Sequence, residues 1–246
     1  MDSQPEPSTA TQRSALQQAL ARGRAALRAN LIPGIILNLA AASIGAAYAW
    51  HDATRAVFGE IGELKGQAPW LFAATTTMLF GGLLPVLMQR LGAAKREPWR
   101  YLLFLLPFWA LKGLEVNLLY VIQAWLFGHE ATTAVVAIKV LVDQGVYVVL
   151  WAMPTQVLAY RWMDHRFRAA PVLADLRQGK WFLRRCFPLM ITNWCIWTPA
   201  AVVLYMMPTE LQLPFQNLIL CLWVLLLSFM TKPEDPIAQH PEQVAG

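Results

Sequence analysis

Residues 68–89 read APWLFAATTTMLFGGLLPVLMQ, twenty-two consecutive positions without one acidic or basic side chain. A helix on the surface of a soluble protein keeps a polar face toward water. This stretch has no such face. Crossing about 30 Å of hydrocarbon takes roughly 20 helical residues, so the segment has the length of a membrane span. Five further windows of similar character lie around it, at 31–50, 101–127, 134–160, 187–207 and 213–231. The expected fold is therefore all-α, a multi-pass transmembrane helical bundle of six spans.

Composition agrees. The chain is 57% hydrophobic and 14% charged, with a mean hydropathy of +0.41. An average soluble domain is about 25% charged, so this chain lacks the polar surface to coat a soluble core of its size. The formal net charge of +5 requires no nucleic acid, because basic loops are what membrane orientation demands. Cys186, Cys195 and Cys221 form no paired spacing, and His51, His129, His165 and His240 all fall in loops or tails. No disulfide framework, metal site or cofactor is expected.

The basic residues orient the spans. Arg13, Arg22, Arg24 and Arg28 precede the first span, Arg90, Lys95, Arg96 and Arg100 follow the second, and Lys232 follows the sixth. The fourth loop carries Arg161, Arg166, Arg168, Arg177, Lys180, Arg184 and Arg185, whereas the alternate loops hold only Arg55 and Lys65. By the positive-inside rule both termini are expected in the cytoplasm. The domain reading is a basic tail at 1–30, the helical bundle at 31–231 and a disordered tail at 232–246. Residues 1–12 are Pro/Ser-rich and expected to be disordered, and 13–29 is either an interfacial helix or a plain basic tail. The span at 31–50 reads as an added anchor, with Ala41, Gly45 and Ala49 spaced for close helix packing. Trp50, Trp70, Trp99, Trp125 and Trp162 sit near span ends, while Trp109, Trp151, Trp194, Trp197 and Trp223 are expected inside the bundle.

Four charges lie where a bilayer is costly to them. Lys112 and Glu115 fall in the third span, and Lys139 and Asp143 in the fourth. A charge at mid-membrane costs a few kcal/mol on insertion scales and normally faces the bundle interior or water. Each pair is spaced to share a helix face. Counted from the short loop at 128–133, Asp143 and Glu115 come to similar depth, with Asn117 and Gln144 beside them and Asn193 approaching from the fifth span. The functional reading is a solute pathway lined by these groups. The alternative is a set of salt bridges that lock helices together, with Lys139 also able to snorkel outward. Pro85, Pro107, Pro154 and Pro199 bend their spans, which can open a cavity.

Two segments carry a resemblance. Residues 133–145 (TAVVAIKVLVDQG) and 189–199 (LMITNWCIWTP) resemble the best-known stretches of the Mpv-seventeen family, small integral proteins of peroxisomal and inner mitochondrial membranes with bacterial relatives. Its Lys-x-x-x-Asp-Gln run is matched by Lys139, Asp143 and Gln144, and its later Asn…Trp…Pro run is similar to Asn193, Trp197 and Pro199, with Thr198 inserted. The region of Pro208 and Trp223 is similar to the family's closing segment, so the likeness spans roughly 68–230. There are departures. Gly81-Gly82 stands where the family has Gly-Asp, residues 113–120 (GLEVNLLY) lack the family's proline, histidine and tryptophan, and six spans replace the usual four. The resemblance implies a diverged bacterial member in an inner membrane (for the family otherwise, mitochondrial inner or peroxisomal). It also implies a weakly selective channel for small solutes, with Lys139, Asp143, Gln144, Asn193 and Trp197 as its residues.

The expected function is thus a channel or pore for small solutes or ions, with polar-stripe candidates Lys112, Glu115, Asn117, Lys139, Asp143, Gln144, Asn193 and Trp197. A structural or assembly protein and a proton-coupled transporter remain as alternatives. No enzyme is expected, because the spans hold no histidine and no serine beside a base. The expected partners are the lipid bilayer, small solutes and further copies of the chain in a homo-oligomer.

Overall fold

The structure is a computed structural model that describes residues 9–91 and 98–230. Of the disorder expected over residues 1–12, residues 1–8 lie outside the described residues, as do 232–246 and the basic residues Lys95, Arg96 and Lys232, whereas residues 9–12 are helical. The described elements are helical throughout. They are α1 (Thr9–Trp50), α2 (Asp52–Gln67), α3 (Pro69–Leu91), α4 (Trp99–Phe127), α5 (Thr133–Asp164), α6 (Ala169–Arg177), α7 (Trp181–Arg185), α8 (Phe187–Tyr205) and α9 (Thr209–Met230). Six of these, α1, α3, α4, α5, α8 and α9, are long and apolar enough to cross a membrane. Their lipid-facing sides carry large exposed aliphatics such as Leu39, Leu71, Leu103, Leu141 and Leu150. This is an integral membrane protein of the multi-pass helical type.

One end of the bundle carries the break between α3 and α4 and the short helices α6 and α7. We call this the near end, and the end that carries α2, the 128–132 loop and the turn before α9 the far end. Asp52–Gln67, read from sequence only as a loop, is an amphipathic helix lying on the far end. Its Phe58 is buried against Tyr48, with rings 5.6 Å apart, and Lys65 Nζ reaches the Thr209 carbonyl at 3.5 Å. Arg55 donates to the carbonyls of Tyr48 and Ala49, satisfying acceptors that α1 leaves open at its C-terminus.

The basic N-terminal segment is continuous with the first span, since α1 runs unbroken from Thr9 to Trp50. Nor is α1 a loose anchor. It packs along α8, with Gly23, Gly34 and Gly45 facing Ile191, Ile196 and Val203, and Asn38 Nδ2 donates to the Ile196 carbonyl at 2.9 Å. Ala41 is fully buried and Gly45 meets Val203, but Ala49 is exposed, so the small-residue stripe ends one turn early.

Helices α3 and α4 approach even more closely. A Cβ on Gly113 would lie 2.1 Å from the Ala73 carbonyl oxygen, and one on Gly81 would lie 2.3 Å from the Trp109 ring. The Gly81-Gly82 pair therefore makes a slot for the Trp109 indole. Both α3 and α5 contain π-helical turns, at Met78–Leu83 and Asp143–Ala152. Each leads directly toward a proline, Pro85 or Pro154, whose missing N–H cannot complete the α-helical ladder. A widened turn re-registers the backbone upstream of the proline, and such turns recur at functional sites. Pro107 and Pro199 sit within α4 and α8 without interrupting them.

Candidate functional site

The bundle encloses a cavity of about 810 Å³. Along α4 its wall runs from Trp109 to Tyr120, about 16 Å at the usual rise per residue. Along α5 it runs from Asp164 to Asp143, on α3 from Gln89 to Thr77, on α8 from Leu189 to Leu204 and on α9 from Leu227 to Phe215. Apart from the α4 wall, which starts inside the helix, these segments begin near the same end of the bundle. The cavity thus reaches from the near end about two-thirds of the way along α3, α5 and α9, and to the last turn of α8, and stops there.

A polar floor closes it. Tyr205 Oη donates to Asp143 Oδ2 at 2.8 Å and accepts from Gln123 Nε2 at 2.7 Å, joining α4, α5 and α8. Beside this chain the Tyr120 hydroxyl donates to Gln216 Oε1 of α9, and Tyr120 meets Tyr205 edge to face, with ring centres 5.7 Å apart. Beyond the floor Val136, Val140, Met207, Leu211 and Leu213 pack toward the far end, and the buried polar side chains among them, Lys139 and Gln212, are turned onto backbone carbonyls. This hydrogen-bonded layer, in which the buried Gln123 Oε1 alone of the named floor groups lacks a partner, closes the cavity on its far side.

The side walls hold the other candidates. Lys112 Nζ pairs with Glu115 Oε2 at 2.8 Å and donates to Thr155 Oγ1 at 2.7 Å, so it ties α4 to α5. Tyr147 Oη reaches the same Glu115 oxygen at 3.4 Å. Asn193 Nδ2 donates to Gln144 Oε1 at 3.2 Å, and Trp194 Nε1 donates to the Gln144 carbonyl at 2.9 Å, a group within the π-helical turns. Trp197 packs edge to face on Trp223 at 6.5 Å, and both line the cavity. Trp109 Nε1 donates to Tyr160 Oη at 3.2 Å.

Of the eight candidates read from sequence, the cavity wall contains Lys112, Asp143, Gln144, Asn193 and Trp197. Glu115, Asn117 and Lys139 lie off it. The Lys139–Asp143 pair is not formed. A helical side chain leans toward its helix N-terminus, so Lys139 extends back to the 128–132 loop and donates to the Gly128 carbonyl at 2.7 Å. Lys139 thereby satisfies the carbonyl that follows α4 and fastens the α4–α5 hairpin. Asp143, one turn on, is left to Tyr205. The two carboxylates are also offset, because Glu115 is met by Tyr147, a full turn beyond Asp143. Trp151 is 53% exposed on the lipid-facing side, not inside the bundle as its sequence position suggested.

Sequence reasoning about charges missed the neutral members of the floor, Tyr120, Gln123, Tyr205 and Gln216. Their signal was present: tyrosine and glutamine within otherwise apolar spans, with Tyr120 and Gln123 one turn apart. Buried amides and phenols in a membrane need partners just as charges do. Among the described residues no group of histidine, cysteine and carboxylate side chains could hold a metal ion.

At the near end, outside the spans, Asp175 of α6 gathers Arg161, Arg184 and Arg185, with Arg185 making a two-pronged contact at 3.1 and 3.2 Å. Burial opposes ionisation of Asp175, but the hydrogen bonds and charge of Arg185, then the charges of Arg161 and Arg184, outweigh it and hold the carboxyl below its ordinary range.

Comparison of the chain with protein-family models, curated proteins and solved structures finds no match.

Proposed function

We propose that the protein passes a small solute across the bilayer through its central cavity, and that the structure represents a state closed at the far end. The observation that carries this reading is the cavity itself, about 810 Å³ with polar side chains at mid-bundle depth. A helical bundle that served only to hold its helices together would gain dispersion energy by collapsing that space. Ligand sites commonly enclose about 300–1,000 Å³ with a few polar groups in a largely apolar wall, which is the pattern here. The resemblance of 133–145 and 189–199 to the Mpv-seventeen family supports the same reading, as does the placement of Asp143, Gln144, Asn193 and Trp197 on the cavity wall.

Both termini lie in the cytoplasm in this proposal, from the distribution of arginine and lysine, so the cavity faces inward. Purified protein in liposomes should release a trapped fluorescent or radiolabelled solute faster than empty vesicles. Tyr205→Phe, which removes the hydroxyl bridging Gln123 and Asp143, should speed release further. Solute retention indistinguishable from empty vesicles for both proteins would end the proposal. If release instead follows an imposed pH gradient, proton coupling at Asp143 is the mechanism within this reading.

A structural role is the second reading, favoured by Lys112. Its ammonium joins α4 to α5 through Glu115 and Thr155, a contact that would be needed whether or not anything moves through the bundle.

A further inference from the structure

The cavity wall is electrostatically one-sided. Lys112 is the cation that lines it, and that ammonium is already neutralised by Glu115 at 2.8 Å. Asp143 in the floor has no such partner. It is 8% exposed, and its hydrogen bonds come from neutral groups, the Tyr205 hydroxyl at 2.8 Å and the Gln144 amide at 3.4 Å. Among the described residues no arginine, lysine or histidine forms an ion pair with it. The nearest lysine on its own helix, Lys139, is turned away to the Gly128 carbonyl.

The wall above this carboxyl is rich in aromatic rings, namely Trp109, Tyr120, Tyr147, Trp197 and Trp223. An aromatic face attracts a cation through its quadrupole, and organic ammonium ions are the ligands that such walls suit best. Thr192 adds an independent sign. Other threonines in these spans, Thr75, Thr76 and Thr155, turn their hydroxyls onto the carbonyl one turn back, at 2.6–2.7 Å. Thr192 lines the cavity, and its buried hydroxyl has no partner among the described residues.

We infer that the cavity takes a small organic cation, an amine or quaternary ammonium compound, with its charge against Asp143 and its alkyl groups among the aromatic rings. This rests on the cavity being a solute site, and it names the class of solute. The carboxylate would supply the counter-charge that a desolvated ammonium needs. The same field would exclude anions, because Lys112 is held by Glu115 and cannot answer one. A strongly hydrated metal cation fits less well, since among the described residues no three histidine, cysteine or carboxylate side chains converge to replace its water.

The test uses the full chain in lipid nanodiscs with two probes of nearly equal shape, choline and its uncharged analogue 3,3-dimethylbutan-1-ol. Binding is read by calorimetry and by the fluorescence of the cavity tryptophans. Choline should bind saturably and the uncharged analogue about tenfold more weakly or worse, the order that one desolvated charge contact contributes. Benzoate should not compete. Asp143→Asn should remove the difference between the two probes, and Asp143→Glu should retain it. The inference is overturned if choline does not bind, if the uncharged analogue binds equally well to the unaltered chain, or if benzoate displaces choline. The comparison on the unaltered chain needs no variant to fold. Choline binding without any release of solute from liposomes would leave this inference standing and remove the transport reading. Release of neutral solutes without choline binding would do the reverse.

Discussion

Replacing Lys112 by methionine keeps most of the side-chain volume and removes one charge and two hydrogen bonds. The structure places that charge among tight neighbours: the Lys112 side chain is 8% exposed and its partner Glu115 29%. Once Lys112 is gone, Glu115 retains a single weak contact from Tyr147 at 3.4 Å and must stay charged without a partner or take up a proton. Breaking a buried pair on one side costs about 3–5 kcal/mol, mostly through the charge left behind. The partial exposure of Glu115 places the expected loss near the lower figure, about 3 kcal/mol. Replacing both partners, as Lys112→Met with Glu115→Leu, removes the orphaned charge and should cost about 1 kcal/mol, because apolar replacements of buried pairs are often close to neutral. The two changes should therefore be strongly non-additive, with a coupling of about 2 kcal/mol or more. Thermal unfolding in detergent micelles, followed by tryptophan fluorescence for both single variants and the double variant, measures this directly. A double variant as unstable as the sum of the two singles would refute the reasoning, since the pair would then contribute nothing as a pair. If the double variant is stable but no longer releases solute from liposomes, Lys112 acts on the solute as well as on the fold.

Gly113→Ala should abolish the folded bundle, because its new methyl would sit 2.1 Å from the Ala73 carbonyl oxygen, whereas Gly145→Ala, with open space around it, should melt within about 1 kcal/mol of the unaltered protein; size-exclusion profiles in detergent separate the two. Lys139→Met should lower stability by roughly 1–3 kcal/mol, through the unsatisfied Gly128 carbonyl, without altering ion selectivity in planar bilayers, since Lys139 lies off the cavity. Acid should loosen the near end. Asp175 has a depressed pKa when folded, so its stabilisation is complete above the unfolded value of 3.8 and disappears as pH falls through the folded value below it. Proteolysis of the α6–α7 region across pH 2–5 should show this step, and Asp175→Asn should remove it.

The spans were legible because hydropathy and length act on each segment independently. Residues 68–89 needed no neighbour to be read, and the observed helix Pro69–Leu91 follows them within two residues. Helix α2 was not legible in the same way, because Asp52–Gln67 is amphipathic and mean hydropathy treats it as a loop. The site was half legible. Charges at depth pointed to Lys112 and Asp143, and polarity pointed to Gln144 and Asn193, all of which reach the cavity wall. Pairing was misread, since spacing along a helix says that Lys139 and Asp143 share a face but not that a long side chain leans away from a short one. The floor was hidden because Tyr205 and Gln216 belong to spans without charge. Only the packing of α8 and α9 against α4 and α5 brings them together.

A cavity that ends short of the far side also divides the membrane voltage unevenly. Were water to fill it from the near end, the low-dielectric path would shrink to the layer between the Asp143–Tyr205 floor and the far-end surface, and most of the potential would drop across those few side chains. An elementary charge crossing the full potential exchanges about 2.3 kcal/mol per 100 mV. Nearly all of that work would then be done within one short step past Tyr205, and almost none along the approach.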